Sequence, residues 1–168
     1  FHAFRIDHIL GFFRIWEVPR TQRSGLLGHF HPALPYSLEE WQEKLALPFP
    51  IELLTAPLVH EDELTARLGD SFDDLLDSGY LHSTALAGLY QLTYGEQADY
   101  ETEAAQRALG ADVAAVLAEL CTETALIADP YKAGHYHPRI ALERSRLFAR
   151  FPEELQERWR AVSDDYYY

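Results

Sequence analysis

The sequence predicts a mainly α fold with a few short strands, and three features carry that expectation. Ser37-Leu38-Glu39-Glu40 reads as a capping box, the signature of a helix start. Asp112 to about Thr124 is rich in Ala, Leu and Val, with no Gly or Pro inside it. Residues 3–9 alternate apolar and polar, a strand pattern standing alone ahead of the helices.

The elements follow in order. After the strand at 3–9, Leu10 to Val18 reads as a short helix closed by Pro19. Residues 20–36, with their glycines, prolines and histidines, read as a long surface loop. The helix capped by Ser37 runs to about Leu47, before Pro48 and Pro50 stop it. Glu61 to Leu68 is a second helix ended by Gly69, and Ser71-Phe72-Asp73-Asp74 starts a short third. Gly88 to Tyr94 alternates as a strand does. Tyr100 to Leu109 reads as a helix with Gly110 as its C-cap. Beyond the apolar helix at 112–124, Ala125 to Asp129 reads as a short strand before Pro130. Ile140 to Arg150 and Glu153 to Val162 are the last helices, with Pro152 at a preferred first-turn position.

The 168 residues are 48% apolar, enough for a domain with a real core. A formal charge of −13 argues against nucleic acid and against membranes as partners, because both are recognised through clustered Lys and Arg. No stretch approaches the roughly 18 consecutive apolar residues of a membrane span. One cysteine, Cys121, forms no intrachain disulfide, which agrees with a cytoplasmic location. The chain starts at Phe1 and contains no methionine, so the expectation is that Phe1 is not the native start.

Arg5, Asp7 and His8 are the first candidates for chemistry. On a strand, Arg5 and Asp7 share a face. An arginine beside an aspartate holds the carboxylate ionised. An ionised, oriented carboxylate is what covalent glycosyl transfer uses as a nucleophile. A structural ion pair at a strand end is the alternative reading of the same residues.

The segment "FRIDHILGFFRIWEVP" (4–19) resembles the nucleophile segment of the 4-alpha-glucanotransferases, the amylomaltase or disproportionating-enzyme family, glycoside hydrolase family 77. Arg5, Asp7, His8, Gly11, Trp16, Glu17 and Pro19 match, seven positions within fifteen residues. "GLLGHFHPALPYS", "ALIADPYKAGHYHPRI" (125–140) and "DDYYY" (164–168) resemble the long branch of that family, which carries an insertion in its catalytic barrel. The resemblance implies a (β/α)8 barrel, with catalytic groups at the C-terminal ends of its strands. It implies that Asp7 is the nucleophile, that Arg5 fixes and ionises it, and that His8 hydrogen-bonds the donor sugar. Trp16 serves either packing or the acceptor wall. The substrates implied are alpha-1,4-glucans, maltose or malto-oligosaccharides, with no cofactor. No segment resembles the family's acid/base glutamate or its further aspartate. The chain therefore reads as a fragment, inactive alone: one catalytic barrel strand plus a mostly helical inserted domain. On that reading, 1–36 is the barrel strand with its following loop, 37–125 the insertion, and 126–168 the return toward the barrel. The rival function is a non-catalytic module that docks glucan or another subunit.

His29-Phe30-His31 and His135-Tyr136-His137 form two His-x-His pairs. On a strand each pair would face one way and could bind zinc. No metal-ligand spacing joins them and no acidic partner stands beside them in sequence, so no metal site is assigned and loop histidines near packed aromatics are expected. Cys121 is expected in the core. Tyr80, Tyr90, Tyr94, Tyr131 and Tyr136 could stack on sugar rings but are expected to build the core.

Overall fold

The computed structural model describes residues 14–22 and 24–167. The expected strand at 3–9 and the first part of the expected helix at 10–18 lie outside these residues. In chain order the elements are β1 (Ile15–Glu17), β2 (His29–His31), β3 (Tyr36–Ser37), α1 (Leu38–Leu45), β4 (Leu58–His60), α2 (Glu61–Leu68), α3 (Ser71–Asp77), β5 (Leu81–Ser83) and β6 (Leu89–Leu92). Then come α4 (Gln97–Ala105), α5 (Ala111–Leu120), β7 (Leu126–Ala128), β8 (His135–Pro138), α6 (Arg146–Ala149) and α7 (Glu153–Tyr167). Among the described residues the strands form three small antiparallel sheets, ordered β1-β2, β3-β8-β7 and β4-β6-β5. The fold is thus more evenly mixed α and β than the sequence pattern suggests.

The first departure is at β1, a strand where the end of a helix was expected. Trp16 lies opposite Phe30 and Glu17 opposite His29. The Trp16 and Phe30 rings meet edge to face, 4.9 Å apart, and the Trp16 indole N–H donates to the Gly25 carbonyl at 3.1 Å. A cross-strand aromatic pair of this kind outweighs the weak helix preference of Ile, Trp and Val. Gly28 is what lets the chain return: a Cβ there would lie 2.6 Å from both the Glu17 carbonyl oxygen and Trp16 Nε1. The expected loop at 20–36 therefore contains a 3-10 turn at Gly25–Leu27 and the strand β2, with Leu27 and His29 buried.

The capping box is formed in full. The Ser37 N–H donates to Glu40 Oε2 at 2.7 Å, and the Glu40 N–H donates to Ser37 Oγ at 3.3 Å. α1 stops at Ala46, which takes a left-handed φ of 46°, and Arg158 of α7 donates to the Leu45 and Ala46 carbonyls. α2 and α3 stand as expected. The helix expected over 100–109 instead runs Gln97–Ala105, and Gly110 is the N-cap of α5 rather than a C-cap. The helix expected over 140–150 is broken. Ser145 is extended there (φ −82°, ψ 158°) between a 3-10 turn and α6, and its hydroxyl accepts from the Phe148 N–H. α7 continues past Val162 to Tyr167, because Trp159, Val162 and Tyr166 prolong one apolar stripe against α1 and β3.

Two cores result. One joins Trp41, Leu45 and Leu58 to Leu126, Phe148, Leu155 and Trp159. The other lies within 59–121 and includes Leu64, Leu75, Leu92, Tyr100, Leu117 and Cys121. The first core takes residues from both sides of the expected 125/126 boundary, so Trp41 to Leu58 pack with Leu126 to Trp159.

Candidate functional site

The first core's sheet and the β1-β2 hairpin together hold a cluster of polar groups. β2 carries His29, whose side chain is 2% exposed. β8 carries His137, 1% exposed. Asp129 follows β7 and heads the turn that leads into β8. Its Oδ1 accepts from the Tyr131 and Lys132 amides at 2.7 and 2.6 Å, an Asx-type turn that spans Pro130. Its Oδ2 lies 2.8 Å from His137 Nε2. On the other side of the same ring, His137 Nδ1 lies 2.6 Å from the Tyr166 hydroxyl of α7. The His29 ring stacks on that of His137, 4.5 Å away and tilted by 19°. Glu17, the register partner of His29, brings Oε2 to 3.8 Å from His29 Nε2 and accepts from the Tyr131 hydroxyl at 2.9 Å.

The charge state of this cluster follows from its burial. His29 titrates below the usual histidine range because burial disfavours its charged form, an effect that the nearby Asp129 and Glu17 only partly offset. His137 is lowered by burial and then by His29, against the pull of Asp129. Burial pushes the Asp129 carboxyl up, but the two amide hydrogen bonds and the His137 ring outweigh it and hold the group below the usual range. At neutral pH the cluster is thus two neutral imidazoles around one carboxylate. With its proton on Nε2, His137 donates to Asp129 and accepts from Tyr166. His29 has no such arrangement. Among the described residues neither of its ring nitrogens has a hydrogen-bond partner. Such a buried polar group costs about 1–3 kcal/mol when left unpaired.

The structure regroups the histidines. Sequence spacing pairs His29 with His31 and His135 with His137. The fold pairs His29 with His137, while His31 is exposed against the Tyr131 ring and His135 turns to the Ala133 carbonyl. The acidic partner missing from the sequence reading is Asp129. Its only local signal is the Asp-Pro turn, and nothing in the sequence marks Glu17 or Tyr166 as neighbours of the cluster.

The other candidate residues separate clearly. Arg5, Asp7 and His8 lie outside the described residues. Trp16 is half-buried between Phe30 and the Gly25 carbonyl. Cys121 is buried in the second core, and burial, with a smaller push from the Asp99 charge, raises its thiol to about 12. Tyr80, Tyr90 and Tyr94 pack on the second core and Tyr136 on the first, as expected, whereas Tyr131 is 65% exposed. A cleft of about 470 Å³ beside α2 and α6 is lined by Arg67, Arg146 and Arg150, which pair with Glu119, Glu63 and Asp62. No helix among the described residues is long and apolar enough to cross a membrane.

Comparison with known proteins gives two findings. Residues 1–130 match the family described as 4-alpha-glucanotransferase. The chain is similar to the 4-alpha-glucanotransferase DPE2 of Oryza sativa subsp. japonica, 29% identical over 182 residues, an alignment covering 100% of this chain and 18% of that protein. The chain thus spans under a fifth of the length of that curated relative. No solved structure matches it.

Proposed function

We propose, from the premise that this chain belongs to the 4-alpha-glucanotransferase family, that it is a segment of a cytoplasmic enzyme moving alpha-1,4-glucan units between malto-oligosaccharides. The observation that carries the reading is the segment from Arg5 to Pro19, which lies inside the matched residues. Asp7 is the nucleophile. Its carboxylate attacks the anomeric carbon of the donor, the glycosidic bond breaks, and the leaving oxygen takes a proton from an acid outside this chain. An acceptor hydroxyl then attacks the anomeric carbon of the glycosyl-Asp7 ester, its proton passing back to the group that acted as acid in the first step, and the Asp7 carboxylate leaves with retention at the anomeric carbon. Arg5 holds Asp7 ionised and His8 bonds the donor sugar. Trp16 acts by packing, supporting the strand that carries Glu17.

The test is Asp7→Asn in the longer protein that contains this chain. Transfer from maltotriose, followed as glucose release, falls by about 10³-fold or more if Asp7 is the nucleophile. A loss of less than tenfold would make Asp7 a structural partner of Arg5.

A second reading is favoured by Tyr131, the one tyrosine of the five singled out that presents its ring to solvent. On this reading the described residues dock a glucan chain without acting on it. Calorimetric titration with maltoheptaose separates the two, because docking shows as binding by this chain that Tyr131→Ala removes.

A further inference from the structure

We propose that His29, His137 and Asp129 form a binding site for one divalent transition metal ion, zinc by preference, which ties the β1-β2 hairpin to the β7-β8 hairpin. The donor atoms of the three residues all lie within 4.8 Å of one another. Two imidazoles and a carboxylate are a borderline nitrogen and oxygen set that suits zinc and leaves a fourth position for water or another carboxylate. Glu17 Oε2, 3.8 Å from His29 Nε2, is the nearest further candidate.

Three features distinguish the site from a chance cluster. First, His29 is buried with both ring nitrogens unpartnered among the described residues, which leaves its lone pair available to an ion. Second, the supporting contacts are those of a ligand set. Tyr166 meets His137 Nδ1, the nitrogen facing away from Asp129, and fixes the ring. Two backbone amides hold the outer oxygen of Asp129, leaving Oδ2 directed at His137. Third, when the His137 proton moves from Nε2 to Nδ1, where the Tyr166 oxygen accepts it, an Nε2 lone pair faces a carboxylate oxygen at 2.8 Å, an arrangement that a cation between them stabilises. Zinc with bonds of about 2.0–2.1 Å needs its donors roughly 3.3 Å apart. The closure falls to His29, whose buried ring, stacked on His137 and held by no hydrogen bond among the described residues, turns about its side-chain torsions when the ion enters. The ion joins residues about a hundred positions apart in the chain, and through Tyr166 it reaches α7. This inference rests on the geometry of the described residues and not on the proposed transfer reaction.

The experiment uses the 168-residue chain, purified without a polyhistidine tag and stripped with a chelator. Zinc is titrated in competition with a chromogenic chelator, with magnesium as the control ion. The expected result is one equivalent of zinc with submicromolar Kd, no binding of magnesium, and a melting temperature raised by several degrees. His29→Gln weakens zinc binding at least 100-fold. Imidazole nitrogen shifts in the unaltered chain provide the check that does not depend on a variant folding: on adding zinc, His29 and His137 move, and His31, His60, His82 and His135 do not. Absence of stoichiometric zinc at ten micromolar, unchanged affinity in folded His29→Gln, or shifts confined to the other histidines overturns the proposal.

Discussion

The Trp41 and Trp159 rings stack 5.8 Å apart at an angle of 13°, both fully buried, and so fasten α1 to α7 across more than a hundred residues of chain. The Trp41 indole N–H also donates to the Tyr136 carbonyl at 3.1 Å, which adds the central strand of the β3-β8-β7 sheet to the same junction. Trp159→Ala removes a buried ring from this junction and should lower stability by about 3–5 kcal/mol. Urea unfolding followed by circular dichroism measures it. A loss under about 1 kcal/mol would show that α7 is an appendage and not part of the first core.

Gly28 allows the close pass of the β2 approach over Trp16. Gly28→Ala places a methyl group 2.6 Å from backbone and indole atoms, and neither can withdraw without moving the hairpin. The expected cost is about 1–3 kcal/mol. It should be accompanied by a shift of the Trp16 indole N–H resonance as the bond to Gly25 breaks. An unchanged resonance with unchanged stability would mean that the hairpin does not hold this register.

Cys121 should be inert toward a thiol reagent at pH 8 in the native protein and should react at once in urea. Its buried thiol is pushed up to about 12 from an ordinary 9.0, mainly by desolvation. The sign for stability follows. Above the ordinary value the unfolded thiol ionises while the folded one keeps its proton, so the unfolded state gains. The contribution is fully present below pH 9 and is lost between about 9 and about 12, at no more than about 1.4 kcal/mol per pH unit. Cys121→Ala should flatten that part of the stability profile relative to the unaltered chain. Equal slopes in the two proteins would count against a buried, protonated thiol.

The chain by itself should show no transferase activity, since a retaining mechanism needs a second carboxyl group about 5–5.5 Å from the nucleophile and no segment here resembles the family's acid/base glutamate. Incubation of the purified chain with maltotriose, read as glucose and longer oligosaccharides, checks this. Turnover above a buffer control refutes the reading of this chain as one part of a larger catalytic unit.

What the sequence determined by itself is what depends on neighbours a few residues away. The Ser37 capping box, the start of α2 at Glu61, its stop at Gly69 and the start of α3 are all set within one helical turn, and all stand where the pattern puts them. The apolar run expected over 112–124 is helical for the same reason, over Ala111–Leu120. Tertiary structure decided what depends on distant partners. β1 is a strand because Phe30 lies across from Trp16, a partner that no pattern within residues 10–18 announces. The helix expected over 140–150 breaks because Ser145 caps the next turn, and α7 outruns its expected end because Tyr36 and Trp41 offer its last aromatics a surface. The histidines follow the same division. Spacing groups them two by two, but His29 meets His137 and Asp129 only when the β1-β2 hairpin packs on the β7-β8 sheet. Such a contact between residues so far apart in the chain carries no local periodicity, because it arises from the burial of two separate surfaces and not from the geometry of either strand.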